Sequence, residues 1–171
     1  MRILAIDPGN EESASLWLVD GKPCDPEKEA NELLLDMLRD YQPEPGDVLA
    51  VEMIASYGMA VGREVFETCV VIGRFLEAWH NWPSRLVYRR DVKLFLCQSA
   101  RATDSNIRAA LIDKYGGSKE KAIGKKASPG PLFALKGDTW SALAVALTAE
   151  EQIRNEQPAP VGVMAGQGAT P

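Results

Sequence analysis

Arg2-Ile3-Leu4-Ala5-Ile6-Asp7-Pro8-Gly9 and Asp47-Val48-Leu49-Ala50-Val51-Glu52 are two short runs of one design. Each is apolar and aliphatic, and each ends in a carboxylate. A continuous apolar run of this length reads as a strand buried on both faces, the kind that parallel sheets contain. If the two are parallel neighbours, Asp7 and Glu52 emerge together at the carboxyl edge of the sheet, where ligand sites of open α/β sheets lie.

The intervening and following segments complete an α/β pattern. Ser13 to Val19 is a further strand, Asp20-Gly21 is a two-residue turn signal, and the residues after it predict a short returning strand. Residues 26 to 41 carry Leu33, Leu34, Met37, Leu38 and Tyr41 on one stripe and predict an amphipathic helix, which Pro43 and Pro45 stop. A Gly-containing loop from Tyr57 to Gly62 leads to a long buried helix from Glu64 to Trp79. A strand at Leu86-Val87-Tyr88, a short helix from Asp91 to Cys97 and a helix capped by Thr103 or Asp104 follow, the last ending at Gly116-Gly117. Ser118 to Pro131, rich in lysine, glycine and proline, predicts a mobile loop. Asp138 opens an alanine-rich helix that runs to about Ile153 and can pack closely on a sheet. These elements form one domain over residues 1–155, and residues 156–171 have the composition of a disordered tail.

Bulk properties exclude several classes. With 171 residues and 46% hydrophobic content the chain can bury one sizeable core. Asp7 interrupts the first apolar run too early for a secretory leader, no run approaches the ~18 apolar residues of a membrane span, and a cytoplasmic location is expected. Cys24, Cys69 and Cys97 are odd in number and widely spaced, with His80 the sole histidine, so neither a zinc site nor a disulfide framework is indicated. The net charge of −5 disfavours a polyanion partner, but it is unevenly spread: residues 85–126 hold eleven Lys or Arg against four acids. An acidic body with one basic stretch is compatible with local polyanion binding.

Asp7, Glu52 and Asp138, if they converge, repel one another unless a cation holds them, and Mg2+ is the hard ion that oxygen ligands suit, with Mn2+ as substitute. The chemistry that follows is phosphodiester hydrolysis with two metal ions about 4 Å apart, one activating water and the other stabilising the leaving oxygen. It requires neither a Cys nor a His nucleophile.

Ile-Asp-Pro-Gly at 6–9, Ala-Val-Glu at 50–52, Asp91-Val92-Lys93, Ala-Arg-Ala-Thr-Asp at 100–104 and Asp-x-x-Ser-Ala-Leu-Ala-Val-Ala-Leu at 138–147 resemble the RuvC-type Holliday junction resolvases. The likeness spans about residues 2–150, and Ser56 through Phe75 looks closer to the phage-borne branch. It implies an RNase H-like mixed five-stranded sheet flanked by helices. It also implies metal ligation by Asp7, Glu52 and Asp138, and a homodimer that nicks two strands of a four-way DNA junction. The pattern departs at two places. Ser141 stands where the family carries a further acid in the last helix, and Asp104 stands where it carries a lysine, which leaves a phosphate contact to Arg101, Lys136 or Lys93. Lys119, Lys121, Lys125 and Lys126, just before the last helix, are further candidates for DNA phosphates, and Tyr57, Met59 and Arg63 for the junction centre.

Three other readings stay open at this level. One is a related RNase H-like nuclease acting on other branched DNA or structured RNA. Another is a junction-binding protein with impaired catalysis. The third is a nucleotide-binding domain of the sugar-kinase or actin-like ATPase kind, which Asp-x-Gly after a first strand also opens, and against which stand the room for only one such domain and the absence of a phosphate-binding Walker loop.

Overall fold

A computed structural model describes residues 1–56, 58 and 60–156. Its centre is a five-stranded mixed sheet of β1 (Arg2–Asp7), β2 (Glu12–Val19), β3 (Lys22–Ala30), β4 (Asp47–Met53) and β5 (Ser84–Tyr88), in spatial order β3-β2-β1-β4-β5. β1, β4 and β5 are parallel, while β2 runs antiparallel to β1 and β3 antiparallel to β2, so that β1, β2 and β3 form a meander. Asp20 and Gly21 both have positive φ, the conformation that a two-residue type I′ hairpin requires, and this turn joins β2 to β3.

Side-chain alternation divides the core in two. Leu4 and Ile6 of β1 and Leu49 and Val51 of β4 point to the face covered by α1 (Asn31–Asp40) and α2 (Arg63–Ala78), where Leu34, Leu35, Leu38, Ile72, Phe75 and Trp79 are buried. Ile3, Ala5, Val48, Ala50 and Val87 point to the other face. It is covered by α3 (Arg89–Cys97), α4 (Asp104–Gly116), α5 (Lys119–Ala122) and α6 (Thr139–Glu156). α6 lies across β1 and β2, and its Ala142, Ala144, Ala146 and Ala149, all fully buried, let the helix approach closely.

Several expectations need correction. The returning strand β3 is nine residues long and takes residues 26–30 from the expected helix, so α1 begins only at Asn31. β3 is an edge strand with Pro23, Pro26 and alternating charge, a composition that discourages edge-to-edge pairing and hides its strand character. α2 is buried along one side only, because Phe66 is 62% and Val70 66% exposed. The lysine-rich segment is a built element: α5 leads into a two-residue hairpin, β6 (Gly124–Lys125) and β7 (Ser128–Pro129). It is fastened by Ala122 and Leu132, both buried, whose backbones hydrogen-bond at 2.8 Å. Residues 157–171, all but the first residue of the expected tail, lie outside the described residues. Among the described residues no helix is long and apolar enough to cross a membrane.

Candidate functional site

Strand parity brings the first two acids together. Asp7 shares the face of Ile3 and Ala5 on β1, and Glu52 that of Val48 and Ala50 on β4, so both side chains face α6. The parallel register ends at Ile6 opposite Val51, which makes Asp7 and Glu52 the next pair, on strands about 4.8 Å apart. Their carboxyl groups lie near enough for each to perturb the other's ionisation. The turn that follows Asp7 is braced from behind: Ser13 Oγ accepts from Gly9 N and donates to Asn31 Oδ1 at 2.6 Å, and Asn31 Nδ2 donates to Gly9 O at 3.0 Å. A Cβ on Gly9 would lie 2.3 Å from the Glu12 carbonyl oxygen, so only glycine fits this turn.

Asp138 lies in an adjoining cleft, at the start of α6, near enough for its charge to be felt by Asp7. Its carbonyl accepts from Ser141 N at 2.9 Å and Ala142 N at 3.1 Å, so it caps the start of α6. Its side chain, 55% exposed, accepts from Lys28 Nζ of β3 at 2.8 Å. Arg89, the first residue of α3, completes the cluster: Nη1 stands 3.6 Å from Glu52 Oε1 and Nη2 pairs with Asp104.

The electrostatics are those of crowded acids. Glu52, 12% exposed, is pushed up to about 8 by burial and then by the charge of Asp7, with Arg89 opposing. Burial also pushes the Asp7 carboxyl up, and Asp138 adds to this, while hydrogen bonds with Glu52 and Ser141 and the charge of Arg89 work the other way. Ser141, at the position where the family resemblance would put a further acid, thus favours the charged form of Asp7 where another acid would oppose it.

Asp7, Glu52 and Arg89 line a cleft of about 170 Å3, and Arg89, Asp104, Arg108, Asp138 and Ser141 line an adjoining one of about 350 Å3. The three acids supply only oxygen, the donor set that suits Mg2+ or Mn2+, and Asp7 and Glu52 together are short of positive charge. The chemistry of the residues therefore fits a hard divalent cation. Among the described residues no three His, Cys, Asp or Glu side chains stand as a ready-made cage. The arrangement is a carboxylate pair, with the third acid electrostatically coupled to Asp7 and bonded to Lys28.

The other candidate residues divide by place. Lys93 lines a third cleft with Arg89 and Arg90, on the same side of the molecule as the acids. Lys136 and Arg101 are exposed in the turns before α6 and α4. Lys119 and Lys125 line a cleft in the α5–hairpin element that contains none of the three acids, and Lys121 and Lys126 are exposed beside it. Arg63 is bonded to Glu67 at 2.6 Å and lines another cleft, with Asn10 and Glu11. Tyr57 and Met59 lie outside the described residues.

Sequence reasoning missed Arg89, Lys28, Ser13 and Asn31. The signal for Arg89 was present: β5 is parallel to β4, and Arg85, Val87 and Arg89 continue one parity toward the edge that carries Glu52. Lys28 had none, since 110 positions separate it from Asp138.

An α/β sheet of this order, with acids at the carboxyl ends of two central parallel strands and at the start of a covering helix, is RNase H-like in class. Within that class the fold is RuvC-like. The structure of Thermus thermophilus RuvC matches with a TM-score of 0.64 and 19% identity, over 91% of this chain and 96% of that one. Thermus thermophilus RuvC in complex with Holliday junction substrate matches with a TM-score of 0.60, again at 19% identity and with the same coverage. No family model and no curated protein matches the chain.

Proposed function

We propose that this chain is a metal-dependent, structure-selective endodeoxyribonuclease that resolves four-way DNA junctions by paired nicking. The observation that carries the reading is the Asp7–Glu52 pair, two neighbouring, partly buried carboxylates at the carboxyl edge of the sheet, with the charge of Asp138 felt by Asp7. Asp7, Glu52 and Asp138 would hold Mg2+, with Mn2+ as substitute. Divalent ions in such a site supply an activated water and a charge sink for the leaving oxygen.

The residues of the chain set the stage for this chemistry. The Ser13–Asn31–Gly9 brace holds the turn that follows Asp7. Burial of Glu52 limits water around the reacting centre and strengthens electrostatic interactions there. Phosphate contacts are assigned to Lys93, with Arg101, Lys136 and the lysines of the α5–hairpin element further out.

A homodimer supplies the two centres that paired nicking needs, and the exposed Phe66 and Val70 of α2, with Leu33 of α1, support this face as its interface. The match to a RuvC bound to a Holliday junction supports branched DNA as the substrate class. The likeness of residues 56–75 to the phage-borne branch belongs to the same proposal.

The test is nicking of a synthetic four-way junction with and without Mg2+, set beside forked DNA and structured RNA at equal salt. Metal-dependent, paired incision of the junction is expected, with none from Asp7→Asn although the junction still binds. Equal incision by wild type and Asp7→Asn would remove the catalytic assignment, and preferred cleavage of RNA would move the protein to a different RNase H-like activity.

A further inference from the structure

Arg89 is the wall common to three neighbouring clefts. The first holds Asp7 and Glu52, the second Asp104, Ser105 and Asp138, and the third, of about 320 Å3, is lined by Arg89, Arg90, Lys93 and Ala100. We propose that Arg89 is the residue that grips the DNA phosphate next to the acids, that Asp104 holds its place in the free protein, and that the strand enters over Arg90 and Lys93. The proposal rests on the nuclease reading above and deepens it.

The two partners of Arg89 differ in kind. Glu52 is only 12% exposed and fixed on β4, and its 3.6 Å contact keeps the guanidinium at the site. Asp104 is 83% exposed on the first turn of α4, and the Thr103–Asn106 capping box holds that turn in place. An exposed carboxylate pair contributes little, and Asp104 at a helix N-terminus keeps a favourable environment without its arginine. A phosphodiester carries the same charge in a geometry that the guanidinium fork matches, and it arrives with neighbouring phosphates within reach of Arg90 and Lys93. It can therefore displace Asp104 and leave Glu52 in place.

Competing cations are less well placed. Arg108 lies over the Trp140 ring at 4.3 Å, and Lys28 is bonded to Asp138. Arg101 and Lys136 line none of the three clefts. Asp104 stands where the family resemblance leads one to expect a lysine, so this chain has its cation on the opposite wall, at Arg89.

The experiment measures binding of a synthetic four-way junction over a range of salt, in an Asp7→Asn background so that no strand is cut. Arg89→Gln should weaken binding about tenfold and lower the slope of log K against log salt by about one. Arg89→Lys should restore the slope but only part of the affinity. Asp104→Asn, on an exposed position where folding is not at issue, should tighten binding several-fold when Arg89 is present and have little effect when it is Gln. Unchanged binding by Arg89→Gln, or an Asp104→Asn gain that is the same with and without Arg89, would overturn the proposal. Neither result touches the nuclease reading, which stands or falls on incision by Asp7→Asn itself.

Discussion

β1 and β4 run side by side, and their two ends are opposites. At the amino ends, Arg2 and Asp47 form a bidentate pair at 2.7 Å for both contacts, with Asp47 only 1% exposed. Tyr41 Oη accepts from Arg2 and donates to Asp47 at 2.8 Å, and Glu44 N donates to the same carboxylate at 2.9 Å. At the carboxyl ends, the same two strands place two carboxylates together and leave one guanidinium, 3.6 Å from Glu52, whose charge acts on both. The amino end shows what a stability-driven solution looks like: a buried charge with every oxygen occupied. The carboxyl end keeps like charges together at a cost in stability, a compromise expected where a site is organised for a ligand.

Breaking the amino end should have the largest effect. Asp47→Ala leaves Arg2, Tyr41 and the Glu44 amide without their acceptor and is expected to destabilise the fold by about 3 kcal/mol, read as a lowered denaturant midpoint at unchanged slope.

The two ends should also respond oppositely to pH. Burial pushes Asp47 up, but hydrogen bonds from Arg2, the Glu44 amide and Tyr41 outweigh it and leave its carboxyl below the usual range. Its contribution is therefore present above about pH 4 and lost as pH falls below that. Glu52 is raised from 4.5 to about 8, so the metal-free folded state holds more protons than the unfolded chain across that window. There the stability falls as pH rises. Glu52→Gln should flatten this decline and stabilise the metal-free protein at pH 8 by on the order of 2 kcal/mol, with little gain at pH 4. A thermal melting series from pH 3 to 9 measures both slopes, and a wild-type melting temperature that stays level from pH 5 to 8 would count against the crowded carboxyl end.

A smaller effect is expected at the third acid. Lys28 neutralises Asp138 where a metal ion would do so, and Lys28→Ala should raise the affinity for Mn2+ a few-fold in calorimetry. Unchanged or weaker binding would place Asp138 outside the metal set.

What the sequence disclosed follows from how each part is built. β1 and β4 were legible because strands buried on both faces must be continuously apolar, and Asp7 and Glu52 stood out as the acids that end such runs, whereas the edge strand β5 showed only its last three residues. β3 was legible only in its first residues, because an edge strand facing solvent has no apolar alternation to read, and Pro26 followed by a leucine stripe imitates a helix start. The α5–hairpin element was read as an open loop because two-residue strands carry no periodicity, and what fastens it is the burial of Ala122 and Leu132 in the common core. How near Asp138 comes to the pair depends on how α6 crosses the sheet, a tertiary matter that its alanines suggest without fixing. Arg89 was hidden by one misplaced boundary: with the helix read from Asp91, the residue that begins α3 and continues the parity of β5 had no element to point from.

The most direct test of the carboxyl-end account is the melting temperature at pH 8 with and without Mn2+, for wild type and Asp7→Asn. A ligand that binds only the folded state raises its stability in proportion to RT ln(1 + [L]/Kd). The wild type should therefore melt several degrees higher with millimolar Mn2+, and Asp7→Asn should show little or no rise. An equal rise in both would mean that the ion binds elsewhere and that Asp7 and Glu52 are not its ligands.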